Sequence, residues 1–150
     1  MGGNFSLENH FSLIKRNEKN QIYDPVRRKW IVASPEEIVR QLFIQHLHID
    51  LQYSLANMSV EKQIVYGGFK KRFDLVVNHS SGNPMIIIEC KSYEIPITQS
   101  VLDQAANYNF IVHAPYLAVT NGRSTLIAKI DHELKSFQFI DQLPVFSRNL

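Results

Sequence analysis

The sequence predicts an α/β domain with a mixed central sheet flanked by helices. Three observations favour this class: an amphipathic helix with a strong start signal, three strand-like segments that follow it, and a second helix ahead of two or three further strands. Elements in this order are typical of a sheet that is covered by helices in layers. A length of 150 residues is that of one domain.

Residues 1–150 are therefore interpreted as a single domain, in which residues 1–25 form an N-terminal extension. Residues 17–21 are polar and turn-like, and Asp24-Pro25 is followed by the basic triplet at 27–29. This composition favours an extension or a short hairpin that wraps the core.

The first helix begins at Ser34. Ser34 suits the N-cap, Pro35 the first helical position, and Glu37 the capping-box position. Apolar residues then recur at helical spacing at Ile38, Val39, Leu42, Phe43, Leu47 and Ile49. The pattern predicts a helix that ends near His48.

Three strands are predicted next. Residues 63–66 are closed by Gly67-Gly68, residues 72–78 contain β-branched valines, and residues 85–88 are a continuous apolar run. Such a run is typical of a buried central strand. Residues 79–84 have turn chemistry, so the last two strands are expected to form a hairpin.

The remaining elements are a helix over residues 98–113 and two or three strands. Residues 116–120 are apolar and end at Asn121-Gly122, a dipeptide that strongly favours a hairpin. Residues 124–130 would return antiparallel to them, and residues 137–140 would add an edge strand.

Composition excludes several function classes. The chain has 16 basic and 14 acidic residues and one cysteine, so neither a polycation nor a disulfide framework is expected. No signal-peptide core or membrane-length apolar run occurs, which predicts a cytoplasmic protein without a membrane partner. The six histidines are interpreted as structural, since His46 and His48 are two apart and do not share a helix face.

Asp74, Glu89 and Lys91 are the residues on which a functional prediction depends. A carboxylate such as Asp74, inside an apolar strand, is costly to bury unless it has a partner. Glu89 ends the buried strand, and Lys91 projects from the same face because side chains two apart share a face. Cys90 would then pack on the opposite face. Pairing through the 79–84 turn would bring Asp74 across from Glu89.

Two carboxylates and a lysine in one place can hold Mg²⁺ and act on a phosphodiester. Mg²⁺ takes carboxylate oxygens and substrate phosphate as ligands, and a lysine can stabilise developing charge or assist proton transfer. The structural alternative is an ion-pair cluster at a strand end. A second Glu-x-Lys, at Glu133 and Lys135, lies in a polar region and is interpreted as a surface pair.

Gln104 and Tyr108 add a polar pair on the second helix. They are four residues apart and therefore share a helix face. Their polar ends could meet the site or a DNA phosphate, and Tyr108 could stack on a base. The alternative is a packed tyrosine beside a solvated glutamine.

Taken in order, these motifs resemble the PD-(D/E)xK nuclease superfamily. The match is closer to the N-terminal nuclease domain of type I restriction enzyme R subunits, a RecB-like branch with a Q-x-x-x-Y motif. The residues that carry it are Asp74, Glu89-Cys90-Lys91 and Gln104-x-x-x-Tyr108, supported by the segments at 34–41 and 119–122. The resemblance covers roughly residues 26–130 and departs from the superfamily name at Phe73, which stands where its proline would be.

The resemblance implies a restriction-endonuclease-like core in which Asp74 and Glu89 ligate Mg²⁺, or Mn²⁺, and Lys91 assists catalysis. It also implies a further metal ligand on the first helix, for which Glu36 and Glu37 compete. Glu36 is preferred, because it is expected at the edge of the apolar arc and Glu37 on the opposite side. Gln104 and Tyr108 would orient Lys91 or the substrate.

The cluster Lys70, Lys71 and Arg72 precedes the strand that bears Asp74, and it is predicted to contact DNA phosphates. Its alternative is a solvated charged turn. The first hypothesis is therefore a Mg²⁺-dependent DNA endonuclease domain that hydrolyses phosphodiester bonds.

The second hypothesis is a catalytically silent DNA-binding or assembly module of a restriction or repair complex. No Gly-x-x-x-x-Gly-Lys-Ser/Thr loop occurs in these residues, so we expect the nuclease-like part without the motor of an R subunit. DNA, separate motor or specificity subunits, and a second copy of the chain are the candidate partners.

Overall fold

The computed structural model describes residues 6–148 as two sheets and two α-helices with short helical turns. The strands are β1 (Gln21–Asp24), β2 (Lys29–Val32), β3 (Met58–Tyr66), β4 (Phe69–Asn78), β5 (Pro84–Cys90), β6 (Tyr116–Thr120), β7 (Thr125–Asp131) and β8 (Ser136–Ile140). The helices are α1 (Pro35–Gln45) and α2 (Gln99–Val112). None of the helices among residues 6–148 is both long and apolar enough to cross a membrane.

The central sheet is mixed, as predicted. Its six strands follow the order β3-β4-β5-β6-β7-β8, and β1 and β2 form a separate antiparallel ribbon. Strands β5 and β6 are parallel and are joined by α2, whereas the other neighbours are antiparallel. The parallel pair needs a crossover connection, which is the reason that a helix separates these two strands.

Strand β5 lies inside the sheet and is buried on both faces. Ile86 and Ile88 belong to the apolar cluster that includes the residues of α1, and Ile87 belongs to the cluster that includes Leu102 of α2. Cys90 lies in the α1 layer, on the opposite face from Ile87. This alternation confirms that the continuous apolar run forms a buried central strand.

Both helix starts are capped by side chains. Oγ of Ser34 accepts a hydrogen bond from the backbone N–H of Glu37 at 3.2 Å, and Oγ1 of Thr98 accepts one from Val101 at 3.4 Å. Helix α1 continues beyond Gln45 into a π-helical turn, His46–Asp50. The predicted end near His48 therefore falls inside this turn.

Strands β3 and β4 are longer than predicted. They pair as far as Tyr66 and Phe69 on either side of a two-residue turn, where Gly67 has φ +59°. The added positions are mostly polar or exposed, so they carry no hydrophobic pattern that would mark a strand.

The predicted Asn121-Gly122 turn is present. Gly122 has φ +88°, and a Cβ at this position would lie 3.4 Å from Cγ2 of Val39.

The predicted N-terminal hairpin is formed by β1 and β2, and it extends past residue 25. Leu7, Ile14 and Ile22 are buried in the same apolar cluster as Leu42 of α1. Residues 1–5 of the predicted extension lie outside the described residues.

A buried ion-pair network joins this hairpin to α1. Asp24 is fully buried and accepts a hydrogen bond from Nε of Arg27, and Nη2 of Arg27 donates to Oε1 of Glu37 at 2.5 Å. Burial lowers the pKa of Arg27, but hydrogen bonds to Asp24 and Glu37 outweigh it and raise that pKa. Arg27 thus neutralises two buried carboxylates that belong to separate elements.

Replacing Arg27 with Ala is expected to lower the free energy of unfolding by about 2–3 kcal/mol, because two buried carboxylates lose their shared cation. Urea unfolding followed by circular dichroism measures this change. Lys29→Ala removes one exposed positive charge from β2 and should change the free energy by less than about 0.5 kcal/mol. Equal effects of the two substitutions would contradict the role of the network.

Candidate active site

A small cleft lies between the C-terminal end of β5 and helix α2. Its volume is about 130 Å³, and its polar lining consists of Lys71, Glu89, Lys91, Gln104 and Tyr108. These side chains come from β4, β5, the segment after β5, and α2. The structure therefore brings together four of the five predicted catalytic residues, and the fifth, Asp74, is in contact with Glu89.

Asp74 and Glu89 meet because of the register of the β4–β5 hairpin. Leu75 pairs with Ile88, so the next position along the two strands places Asp74 beside Glu89. Oδ2 of Asp74 accepts a hydrogen bond from the backbone N–H of Cys90 at 2.7 Å. This hydrogen bond fixes the Asp74 carboxylate at the end of β5.

Glu89 is held in an unfavourable place for a negative charge. Its side chain is 12% exposed, and Oε1 is buried without a hydrogen-bond partner within the described residues. Burial raises the pKa of Glu89 to about 8, with the charge of Asp74 and a hydrogen bond to it acting in the same direction. Lys71 and Lys91 oppose this rise. The carboxyl pair therefore retains a proton at neutral pH unless a cation neutralises it.

Lys71 is the cation nearest to Glu89, with Nζ 3.7 Å from Oε1. The same Nζ lies 4.7 Å from the ring centre of Tyr108 and 5.1 Å from that of Phe73. Tyr108 thus holds Lys71 over the cleft by a cation–π contact. Sequence reasoning placed Lys71 among the DNA contacts and did not find this role.

A break in the strand alternation explains the position of Lys71. Leu75 packs in the α1 layer, but Phe73 packs in the α2 layer, although residues two apart normally share a face. The β3–β4 pairing skips the position of Glu61 and Asp74, and Glu61 has φ +53°. The two faces of the β3–β4 pair are exchanged at this point, so Lys71 faces the cleft.

Two hydrogen bonds hold the segment that carries Lys91. The N–H of Lys91 donates to the carbonyl of Thr120 at 2.8 Å, and Nδ2 of Asn121 donates to the carbonyl of Ile95 at 2.8 Å. The β6–β7 turn therefore supports the loop after β5 at two points. Asn121 is a positioning residue that the hairpin signal alone did not reveal.

The other predicted DNA contacts remain accessible. Lys70 and Arg72 are exposed on β4, next to the cleft-facing Lys71.

Gln104 is exposed and Tyr108 is half-buried on α2, and both line the cleft. Their shared face was predicted from the four-residue spacing.

The expected placement of the two glutamates of α1 is wrong. Glu37 is buried, with 5% of its surface exposed, whereas Glu36 is exposed and makes no hydrogen bond or ion pair among residues 6–148. Glu37 is buried because Arg27 and Gln41 donate hydrogen bonds to its carboxylate and stabilise it inside the fold. Only one half of the capping box is formed. The Glu37 N–H donates to Ser34, but the Glu37 carboxylate accepts from Arg27 and Gln41 and not from the backbone of Ser34. A metal-binding role for Glu36 stays a prediction.

Cys90 does not point into the cleft. It is buried in the α1 layer, and burial followed by the charge of Asp74 raises the pKa of its thiol. A nucleophilic cysteine needs a lowered pKa and access to substrate. Cys90 is thus a packing residue, as its position between Glu89 and Lys91 predicted.

The mixed sheet, with a carboxyl pair and lysines at the end of its buried strand, defines a restriction-endonuclease-like α/β domain. A family model described as type I restriction enzyme R protein N terminus (HSDR_N) matches residues 35–144. The chain therefore belongs to the family of type I restriction enzyme R subunit N-terminal domains. The match begins at α1, so the N-terminal hairpin lies outside it.

A solved structure shares the fold. It is a fragment of a putative HsdR subunit of a type I restriction enzyme from Vibrio vulnificus YJ016, with 17% sequence identity and a TM-score of 0.52. The similarity covers 77% of this chain and 24% of that one, so the chain spans about a quarter of the length of its structural relative. Comparison with curated proteins gave no match.

Glu89→Gln is expected to stabilise the metal-free protein at alkaline pH. Between pH 4.5, the ordinary pKa of a glutamate carboxyl, and about 8, the unfolded carboxyl is ionised while the folded one keeps its proton, so stability falls as pH rises through this window. In the presence of a chelator, the variant should melt at least about 4 °C higher than the wild type at pH 9. The two should melt together at pH 4.

Glu94→Gln is the matched control for this measurement, since Glu94 is exposed in the loop after Lys91. Its melting temperature should follow that of the wild type at every pH. A difference between Glu89→Gln and the wild type that does not change with pH would contradict the raised pKa.

Proposed function

We propose that the domain is a Mg²⁺-dependent DNA endonuclease that hydrolyses phosphodiester bonds. The observation that carries the proposal is the buried Oε1 of Glu89, which accepts no hydrogen bond within the described residues, beside the Asp74 carboxylate. Two adjacent carboxylates repel each other unless a proton or a cation lies between them. A cleft that is lined by lysines, next to this pair, suits an anionic substrate.

The donor set fits Mg²⁺, and Mn²⁺ as its substitute. Asp74 and Glu89 would hold the ion, because hard divalent cations prefer carboxylate oxygens. When bound, the ion would lower the pKa of a water ligand and neutralise phosphate charge. Glu36, which is exposed on α1, would be the further carboxylate ligand that the family resemblance implies.

The lysines would act on the substrate. Lys91 would stabilise charge on the scissile phosphate, or assist proton transfer from the attacking water. Lys71, which Tyr108 holds over the cleft, would add a second positive charge near the phosphate. Gln104 would donate a hydrogen bond to the substrate from the exposed side of α2.

The exposed side chains of β4 would bind DNA outside the cleft. Lys70 and Arg72 would contact phosphates, which gives an affinity that falls with salt concentration and depends little on sequence. The structural relative is named as an HsdR subunit of a type I restriction enzyme. We infer by similarity that this domain works with motor and specificity subunits on DNA.

Asp74→Asn and Lys91→Ala are each expected to reduce DNA cleavage by roughly a hundredfold or more, the size of effect known for charged groups at a reaction centre. The measurement is the nicking of supercoiled plasmid in Mg²⁺ or Mn²⁺, with folding checked by circular dichroism. Cleavage should depend on the divalent ion.

Lys135→Ala is the matched control for Lys91→Ala. Lys135 belongs to the second Glu-x-Lys of the chain, which is exposed in the turn between β7 and β8. Its substitution should leave nicking unchanged. Wild-type activity in folded Asp74→Asn and Lys91→Ala proteins would refute the nuclease proposal.

The catalytically silent module is the second candidate, and the position of Lys71 favours it. Its ammonium group lies 3.7 Å from Glu89 and partly neutralises the carboxyl pair without a metal. Calorimetry separates the two candidates. The nuclease predicts Mg²⁺ binding that Asp74→Asn abolishes and Glu133→Gln retains, whereas absence of binding at millimolar Mg²⁺ supports the silent module.

A further inference from the structure

A second cluster of metal-binding side chains lies between the N-terminal 3₁₀ helix and the turn that follows α1. Nε2 of His10 is 2.5 Å from Oδ2 of Asp50, and Nδ1 of His46 is 2.8 Å from the same oxygen. The three ligand atoms lie within 4.8 Å of one another. None of these residues lines the cleft beside Glu89.

We propose that His10, His46 and Asp50 form a binding site for a transition-metal ion of the Zn²⁺ class. Imidazole nitrogens favour Zn²⁺, Co²⁺ and Ni²⁺, whereas Mg²⁺ prefers oxygen ligands. Two imidazoles with one carboxylate are a common protein ligand set for such ions. This site is therefore chemically different from the carboxyl pair at Asp74 and Glu89.

The spacing of the ligand atoms fits one small ion. In a tetrahedral zinc site the donor atoms lie about 3.4 Å apart, as bonds of about 2.1 Å require. The two nitrogen–oxygen distances, 2.5 and 2.8 Å, would open by less than about 1 Å, and the two imidazole nitrogens, which lie within 4.8 Å of each other, would approach by up to about 1.4 Å. An ion would replace the two contacts that the imidazoles now make with Oδ2.

The burial of the two imidazoles and the exposure of Asp50 also suit the binding of an ion. The side chains of His10 and His46 are only 12% and 6% exposed, so the fold has already fixed both imidazoles. Asp50 is 44% exposed, which leaves one side of the cluster open to solvent for a water ligand and for entry of the ion. The rings of His10 and Phe43 each contact the His46 ring edge-on, at 5.5 and 5.7 Å between centroids.

The π-helical turn builds the cluster. His46 and Asp50 are its first and last residues, and the turn places both side chains on one side. His10 belongs to the 3₁₀ helix Glu8–Leu13 and is 40 positions before Asp50 in the sequence. Sequence reasoning compared His46 with His48 and found no pair, because the second imidazole comes from a distant segment.

A bound ion would clamp the N-terminal segment to the end of α1. This segment is also held at Leu7, whose N–H donates to the carbonyl of Gly122 at 2.9 Å. A ligand that binds only the folded state stabilises it by mass action. The ion would therefore raise the melting temperature of the protein.

The test is a titration of chelator-treated protein with Co²⁺ and with Zn²⁺. In Asp74→Asn, which removes the proposed carboxylate site, we expect one Co²⁺ per chain with the visible absorption of a low-coordinate site, and displacement of Co²⁺ by Zn²⁺. Asp50→Asn and His10→Gln should weaken binding at least tenfold, because loss of a supporting group alone costs about that much. In the Asp74→Asn background, Zn²⁺ should raise the melting temperature when His10 and Asp50 are present, and should not do so when either is replaced.

His79→Ala is the matched control, since it removes an imidazole from the β4–β5 turn, outside the cluster. It should bind Co²⁺ as the wild type does. Asp74→Asn should also keep the site, which separates it from the carboxyl pair. Absence of Co²⁺ binding at micromolar protein, or binding that survives both Asp50→Asn and His10→Gln in folded protein, would overturn the proposal.

Discussion

The burial of Glu89 beside Asp74 is the constraint on which the site depends. Two carboxyl groups sit where the most apolar strand of the sheet ends, and both are removed from most of the solvent. Burial raises the pKa of Glu89 to about 8, and the neighbouring charge of Asp74 adds to this rise. The cost of holding both groups in ionised form is high, so nearby groups must offset it.

The surrounding structure supplies those groups from several elements. The backbone of Cys90 donates to Asp74, and the reversal of the β3–β4 ribbon at Glu61 brings Lys71 to Glu89. Tyr108 then fixes Lys71 through its ring. The positive φ of Glu61 is costly for a residue with a side chain, and strain of this kind persists only where the fold over-determines it.

Much of the fold was predictable because its signals are local. The Ser34 cap, the apolar run of β5 and the Asn121-Gly122 turn each depend on a few consecutive residues, and the structure contains all of them. The meeting of Asp74 with Glu89 also followed, because a hairpin register fixes which residues lie opposite. The family resemblance depended on the order of Asp74, Glu89-Cys90-Lys91 and Gln104-x-x-x-Tyr108, and the family model matches residues 35–144.

The features that sequence reasoning missed all depend on distant partners. Glu37 is buried because Arg27, ten residues earlier, neutralises it, and a helical-wheel argument does not contain that partner. The break at Glu61 depends on tertiary packing of both sheet faces, and the strand period alone predicts the opposite direction for Lys71. Charged residues can therefore be found from local sequence, but their burial cannot, since it depends on the counter-charge that the fold brings to them.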